Sequence, residues 1–144
     1  DVAPSRGLGD VYKRQVMTGY SISDYFTGML DTIIAKSQQG VYVRFYVNDI
    51  EKSRASLVKM LAYRSKYLQF FEYEKNSDDK MAASHAKILT IDSDKSLVSS
   101  ANLSYHGLSG NIEMGFLVRS ADKAKQIEEV MKEMLRMKVC GKYQ

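Results

Sequence analysis

The sequence holds a single cysteine, Cys140, in 144 residues. One thiol cannot build a disulfide framework or a cysteine-based metal site. No apolar run approaches the roughly 18 residues of a membrane-spanning helix. No transmembrane segment is therefore expected, and the expected location is the cytoplasm. There are two histidines, His85 and His106. With no metal-ligand constellation, neither a metal nor another cofactor is expected. Repeats and low-complexity tracts are missing too. Strong charge is also lacking: 21 Lys+Arg stand against 17 Asp+Glu, a net charge of +4. That excess leans only mildly toward polyanionic partners.

What is present suits one domain with a real core, since 44% of the residues are hydrophobic. The first 15 residues are set aside. Asp10-Val-Tyr-Lys-Arg-Gln15 is the in-frame translation of GATGTGTATAAGAGACAG, which resembles a transposon end used in sequencing adapters. Residues 1–15 thus read as a non-native leader, and 16–144 as a single domain truncated at its N-terminus. The leader's charges nearly cancel, so the partner argument is unaffected.

Val16 to Ser21 reads as a short strand. Ser23 is the expected N-cap of a helix with Phe26, Met29, Leu30, Ile33 and Ile34 at helical spacing, closed by Gly40. Val41 to Val47 is the clearest strand, with an apolar face and tyrosines opposite that imply cover on both sides. Glu51 to Ser65 reads as a second helix with Leu57, Val58 and Leu61 inward. Leu68 to Tyr73 is a third strand, and Glu74 to Ala83 is polar and loop-like. Strands at 85–91, 97–100 and 112–118 follow. Residues 103–110 form a turn or short helical bulge. Ser120 caps a last helix with Ala124, Ile127, Met131, Met134 and Leu135 in one stripe. The expected class is α/β: a mixed, mostly parallel sheet with helices on both faces.

The chemistry concentrates between His85 and Glu113. His85 and Lys87 are two apart on a strand and share a face. Asp92 opens a polar turn. The antiparallel return brings Ser100 and Asn102 back beside the strand's start. An imidazole, an ammonium, a hydroxyl and a carboxamide then converge at one sheet end, a set suited to handling phosphate.

His85-x-Lys87-x-x-x-x-Asp92, followed by Ser99-Ser100-Ala101-Asn102 and then Glu113, resembles the phospholipase D superfamily signature. Ser99 stands where that family usually has Gly. The likeness is to its small nuclease-like members with one motif per chain. The resemblance implies a metal-independent phosphodiesterase acting through a phosphohistidine. His85 would be the nucleophile, Lys87 and Asn102 would hold phosphate with help from Ser100, and Glu113 would orient His85. Asp92, part of the motif, receives a supporting role in the hairpin. In the family a second motif's His supplies the leaving group's proton. The expectation is a homodimer, or a second motif-bearing domain upstream.

Each residue has a plainer reading: a hydrogen-bonded strand His, a solvated Lys, a turn Asn, a surface Glu. Their joint spacing outweighs it. His106 reads as an exposed loop histidine. Lys75, Lys80, Lys52, Arg54, Lys59, Arg64 and Lys66 could track a nucleic-acid backbone or merely form a solvated face. The substrate reading favours nucleic acid, with DNA foremost, over phospholipid headgroups. A binding module without turnover is the third class.

Overall fold

The computed structural model describes residues 14–20, 22–75, 78, 79 and 81–144. The elements are β1 (Arg14–Gly19), a 3-10 turn (Asp24–Phe26), α1 (Thr27–Gln38), β2 (Tyr42–Val47), α2 (Ile50–Ala62) and β3 (Leu68–Tyr73). Next come β4 (Ile88–Ile91), β5 (Lys95–Ser99), a π-helical turn (His106–Gly110), β6 (Gly115–Arg119), α3 (Ala121–Arg136) and β7 (Cys140–Lys142).

The seven strands form one sheet in the order β6-β5-β4-β1-β2-β3-β7. β1–β2 and β2–β3 are parallel. The other four neighbour pairs are antiparallel. The mixed α/β class therefore holds, but "mostly parallel" does not. Helical crossovers join neighbouring strands only from β1 to β3; β4 and β5 form a hairpin, β6 follows as an antiparallel edge, and α3 carries the chain from β6 across to β7 at the opposite edge.

Both sheet faces are covered. Met17, Val43, Phe45, Val47, Leu68 and Phe70 pack with Leu30 and Ile34 of α1 and Leu57 and Met60 of α2. Val16, Tyr46 and Phe71 pack on the other face with Met131 of α3 and Cys140. Strand alternation sends Met17 to one layer and Val16 to the other.

Several boundaries differ from expectation, each for a local reason. Arg14 and Gln15, inside the segment set aside, pair with Tyr42 and Val43 in the sheet. Ser21 and residues 1–13 lie outside the described residues. Ser23 does not cap α1 with its side chain. Its carbonyl instead accepts from Phe26 N (3.0 Å), closing the 3-10 turn first. Gly40, at φ +89°, closes α1 as expected, with Val41 N donating to Lys36 O and Gly40 N to Ser37 O. In α2, Asp49 is the N-cap, accepting from Lys52 N. Val58 points to solvent because Ile50, Leu57, Met60 and Leu61 already fill the inward stripe. β7, absent from the sequence reading, pairs antiparallel with β3. It is three residues long, too short for a periodicity to register.

Phe45 is fully buried and stacks on Phe70, with ring centroids 5.8 Å apart. Phe45→Ala is expected to cost about 3–5 kcal/mol, read as a drop in the urea midpoint. A midpoint within error of wild type would contradict this packing.

Candidate active site

The site begins at Thr18 on β1, a buried hydroxyl the sequence reading did not single out. Its Oγ1 donates to Ala86 O (2.6 Å) and accepts from Ile88 N (2.8 Å). One side chain thus clasps the main chain on both sides of Lys87. It takes up main-chain groups that strand pairing would otherwise use, and the regular strand starts only at Ile88 rather than at His85. His85 and Lys87 still lie together. Lys87 Nζ is 3.3 Å from His85 Nδ1 and donates to His85 O at 2.7 Å. His85 is exposed and Lys87 half-buried.

Tyr20, just beyond β1, stacks on this pair. Its ring centroid is 3.8 Å from that of His85, and Lys87 Nζ lies 5.2 Å from the Tyr20 centroid. The ring's electron-rich face suits both cations, the ammonium and a charged imidazole. Nothing in the sequence marked Tyr20, because no spacing rule links it to residues 65 positions on.

The β4–β5 hairpin behaves as expected. Asp92 and Ser93 both have positive φ (54° and 52°), and Asp94 N donates to Ile91 O. That is the left-handed pair of a tight hairpin turn. Asp92 N donates to Arg14 O (2.7 Å). The whole of β4 separates Asp92 from His85, so its place is at the hairpin tip. Ser93 Oγ donates to Glu128 Oε1 and Oε2 (2.6 and 2.8 Å), giving that buried α3 carboxylate its partner.

At the hairpin's other end, Ser99 N donates to Lys87 O and Ser100 N to Met114 O. Ser100 and Glu113 therefore arrive beside the Lys87 segment. The Glu113 carboxylate accepts from Ser100 Oγ, and from Asn111 Nδ2 at 3.3 Å. The expected bond from His85 to Glu113 is not among the hydrogen bonds of the described residues. Asn102 is half-buried, and its Oδ1 has no hydrogen-bond partner among the described residues. The π-helical turn wraps it. A Cβ on Gly107 would lie 2.0 Å from Asn102 O, so only glycine fits there. Ser23 N donates to Leu103 O, tying the same segment to the chain after Tyr20.

Several other nucleophiles and cations are already occupied. Burial, then Glu74, pushes the Cys140 thiol up to about 11, so it stays protonated and inert. His106 is exposed, as expected, in the turn behind Asn102. Arg54, Lys59 and Lys75 pair with Glu51, Asp31 and Asp49. Lys80 lies outside the described residues. No group of acids, histidines and cysteines among the described residues could hold a metal ion.

An imidazole and an ammonium in contact lie at one end of a β1–β4–β5 frame, with the Asn102 carboxamide on the segment that follows β5. Residues 13–135 match the family model described as cardiolipin synthase, PLD-like domain. The chain belongs to the phospholipase D-like superfamily, whose members are phosphodiesterases, nucleases or phospholipid-modifying enzymes. It is 31% identical over 121 residues to the DISARM protein DrmC of Bacillus paralicheniformis, a match covering 84% of this chain and 50% of DrmC. The chain thus spans about half the length of that curated relative. Among solved structures it resembles NucT from Helicobacter pylori (TM-score 0.74, 15% identity, 99% of this chain and 91% of that one). It also resembles Nuc from Salmonella typhimurium, a phospholipase D family member (TM-score 0.72, 16% identity, 96% and 90%). At these identities the two structural likenesses speak to fold.

Thr18→Val keeps the shape but removes the hydroxyl, leaving Ala86 O and Ile88 N unpartnered. It is expected to cost about 1–3 kcal/mol and to speed hydrogen exchange at Ile88. Wild-type exchange at that amide would show that the clasp does not hold the segment.

Proposed function

We propose that this chain is a metal-independent phosphodiesterase, nuclease-type, working through a phosphohistidine at His85. The observation that carries the reading is the Lys87–His85 contact at 3.3 Å, in a chain of this superfamily. While Lys87 faces Nδ1, a neutral ring carries its proton on Nε2. A substrate phosphate draws the Lys87 ammonium onto its non-bridging oxygens. Nδ1 is then free to hold the ring proton, and Nε2 is free to attack phosphorus. The P–N bond forms as the P–O bond to the leaving group breaks. Lys87 and the Asn102 amide stabilise the charge that builds on the phosphoryl oxygens. Ser100, held by Glu113, adds a hydroxyl beside them, and Asp92 keeps the hairpin in register. Tyr20 steadies the charged imidazole. Water then attacks the phosphohistidine and restores His85.

The departing oxygen needs a proton, and the water must lose one. One His85 cannot serve as nucleophile and as acid in the same cycle. The second imidazole comes from a second motif-bearing unit, a copy of this chain when it stands alone. Its docking surface is the β6 edge beside Glu113. Phe116 on this edge strand is 69% exposed, and Ile112 and Met114 just before it are 104% and 75% exposed, an apolar strip along the sheet's open edge that calls for cover. Phe116→Asp is expected to turn a dimer into a monomer in analytical ultracentrifugation and to reduce turnover with it. A monomeric wild type with full activity would end this part of the reading.

The favoured substrate is nucleic acid, DNA foremost, given the net charge of +4 and the absence of any helix among the described residues long and apolar enough to cross a membrane. Phospholipid headgroup chemistry is the second reading, favoured by the description of the matching family model. Plasmid, single-stranded DNA and phosphatidylcholine vesicles are each incubated with the chain, with and without EDTA. Nicking that survives EDTA and falls about a thousand-fold or more in His85→Ala is the expected result. Choline release would move the assignment to lipid. No turnover on any substrate would leave a binding module.

A further inference from the structure

At the end of the sheet opposite His85, the first residues of β1 and β2 and the α3 helix enclose a cavity of about 470 Å³. β1 is six residues long, so the two ends are about 20 Å apart at ~3.3 Å per residue. This cavity is not the phosphodiesterase site and shares no lining residue with it. Arg44, Lys66 and Lys132 surround it, and Tyr42, Gln69 and the buried Met131 lie in its wall. Arg14 and Gln15, from the segment set aside, also border it.

Arg44 and Lys66 are cations of this wall without an ion-pair partner among the described residues. Among the described residues, no carboxylate lies within ion-pair distance of Arg44 or Lys66. The Glu128 carboxylate also borders the cavity, but it accepts from Ser93 Oγ and pairs with neither cation. Lys132 has Glu129, an exposed helix neighbour, at 3.2 Å. Arg44 is also held in place, with its guanidinium carbon 5.6 Å from the Phe71 ring centroid. A fixed guanidinium fork matches phosphate oxygens in pairs. Lys66 sits over Tyr67, and Tyr67 packs against Tyr42 at 4.7 Å, which gives the rim an aromatic wall.

We propose that this cavity binds a nucleotide-sized phosphate ester, with the phosphate on Arg44 and Lys66 and the flat body against Tyr42 and Met131. The volume falls within the range of small-molecule sites. The same chemistry is offered by a free nucleotide and by one nucleotide of a longer strand.

The test is calorimetric titration of the chain with AMP, with inorganic phosphate and with a single-stranded oligonucleotide. AMP is expected to bind saturably and more tightly than phosphate. Arg44→Gln, and separately the surface pair Lys66→Gln/Lys132→Gln, should each weaken AMP by about tenfold or more, the effect of losing a charge-assisted contact. Lys87→Ala, which removes the phosphate contact beside His85, should leave a saturable AMP site that the Arg44 and Lys66/Lys132 substitutions still weaken. If the oligonucleotide weakens in the same variants, the occupant is a nucleotide within a strand; if only AMP does, it is a free nucleotide. AMP that fails to bind, or whose saturable binding vanishes altogether in Lys87→Ala, overturns the proposal. Should Arg44→Gln lower the thermal midpoint, the surface pair carries the decision.

Discussion

A single hydroxyl, Thr18 Oγ1, joins the first strand to the main chain on either side of Lys87. Everything chemical in this chain is placed relative to that clasp. It fixes where the ladder between β1 and β4 begins, with Met17 opposite Leu89. It holds the His85–Lys87 segment against the sheet's end without making it part of the sheet. The Ser99 N to Lys87 O bond then brings the β5 end alongside, and Ser100 N to Met114 O brings Glu113. Three separate stretches of chain reach one place through main-chain bonds, whose geometry is stiffer than that of side-chain contacts.

The molecule separates packing from chemistry. The layers over β1–β3 are buried on both faces, with Phe45, Phe70, Leu57 and Met60 almost wholly out of water. Toward β5 and β6 the cover thins. Leu97, Val98, Phe116 and Leu117 are all well exposed. The rigid half therefore anchors the site, and the open half presents it. A second motif-bearing unit docking on the open half would bury apolar surface and bring its imidazole to the same place, so assembly and catalysis would share one surface. The cationic cavity lies at the far end of the same strands and shares no residue with that surface.

Much of this was legible beforehand, for identifiable reasons. The β3 boundaries, the Gly40 closure, the tight turn at Asp92 and the Ser120 cap follow from local rules: alternation, φ preference and side-chain capping. The His-x-Lys spacing told that His85 and Lys87 meet, and the antiparallel return that the β5 end comes back beside Lys87. What escaped reading was set by partners distant in sequence. Ser23 lost its capping role to a main-chain turn. Val58 faced out because its neighbours already filled the stripe. Glu113 took Ser100 and Asn111 rather than His85.

The sequence alone determined the α/β class, the closeness of His85 to Lys87 and the hairpin that follows them, because these depend on spacing within about thirty residues. Only the tertiary structure decided that Thr18 clasps the Lys87 segment, that Tyr20 covers the imidazole and that Gly107 makes room for Asn102. It also decided that four of six strand pairings run antiparallel. The physical reason is one of range: periodicity and turn chemistry act between near neighbours, whereas a stack, a clasp or a close backbone approach exists only once distant segments have been packed together.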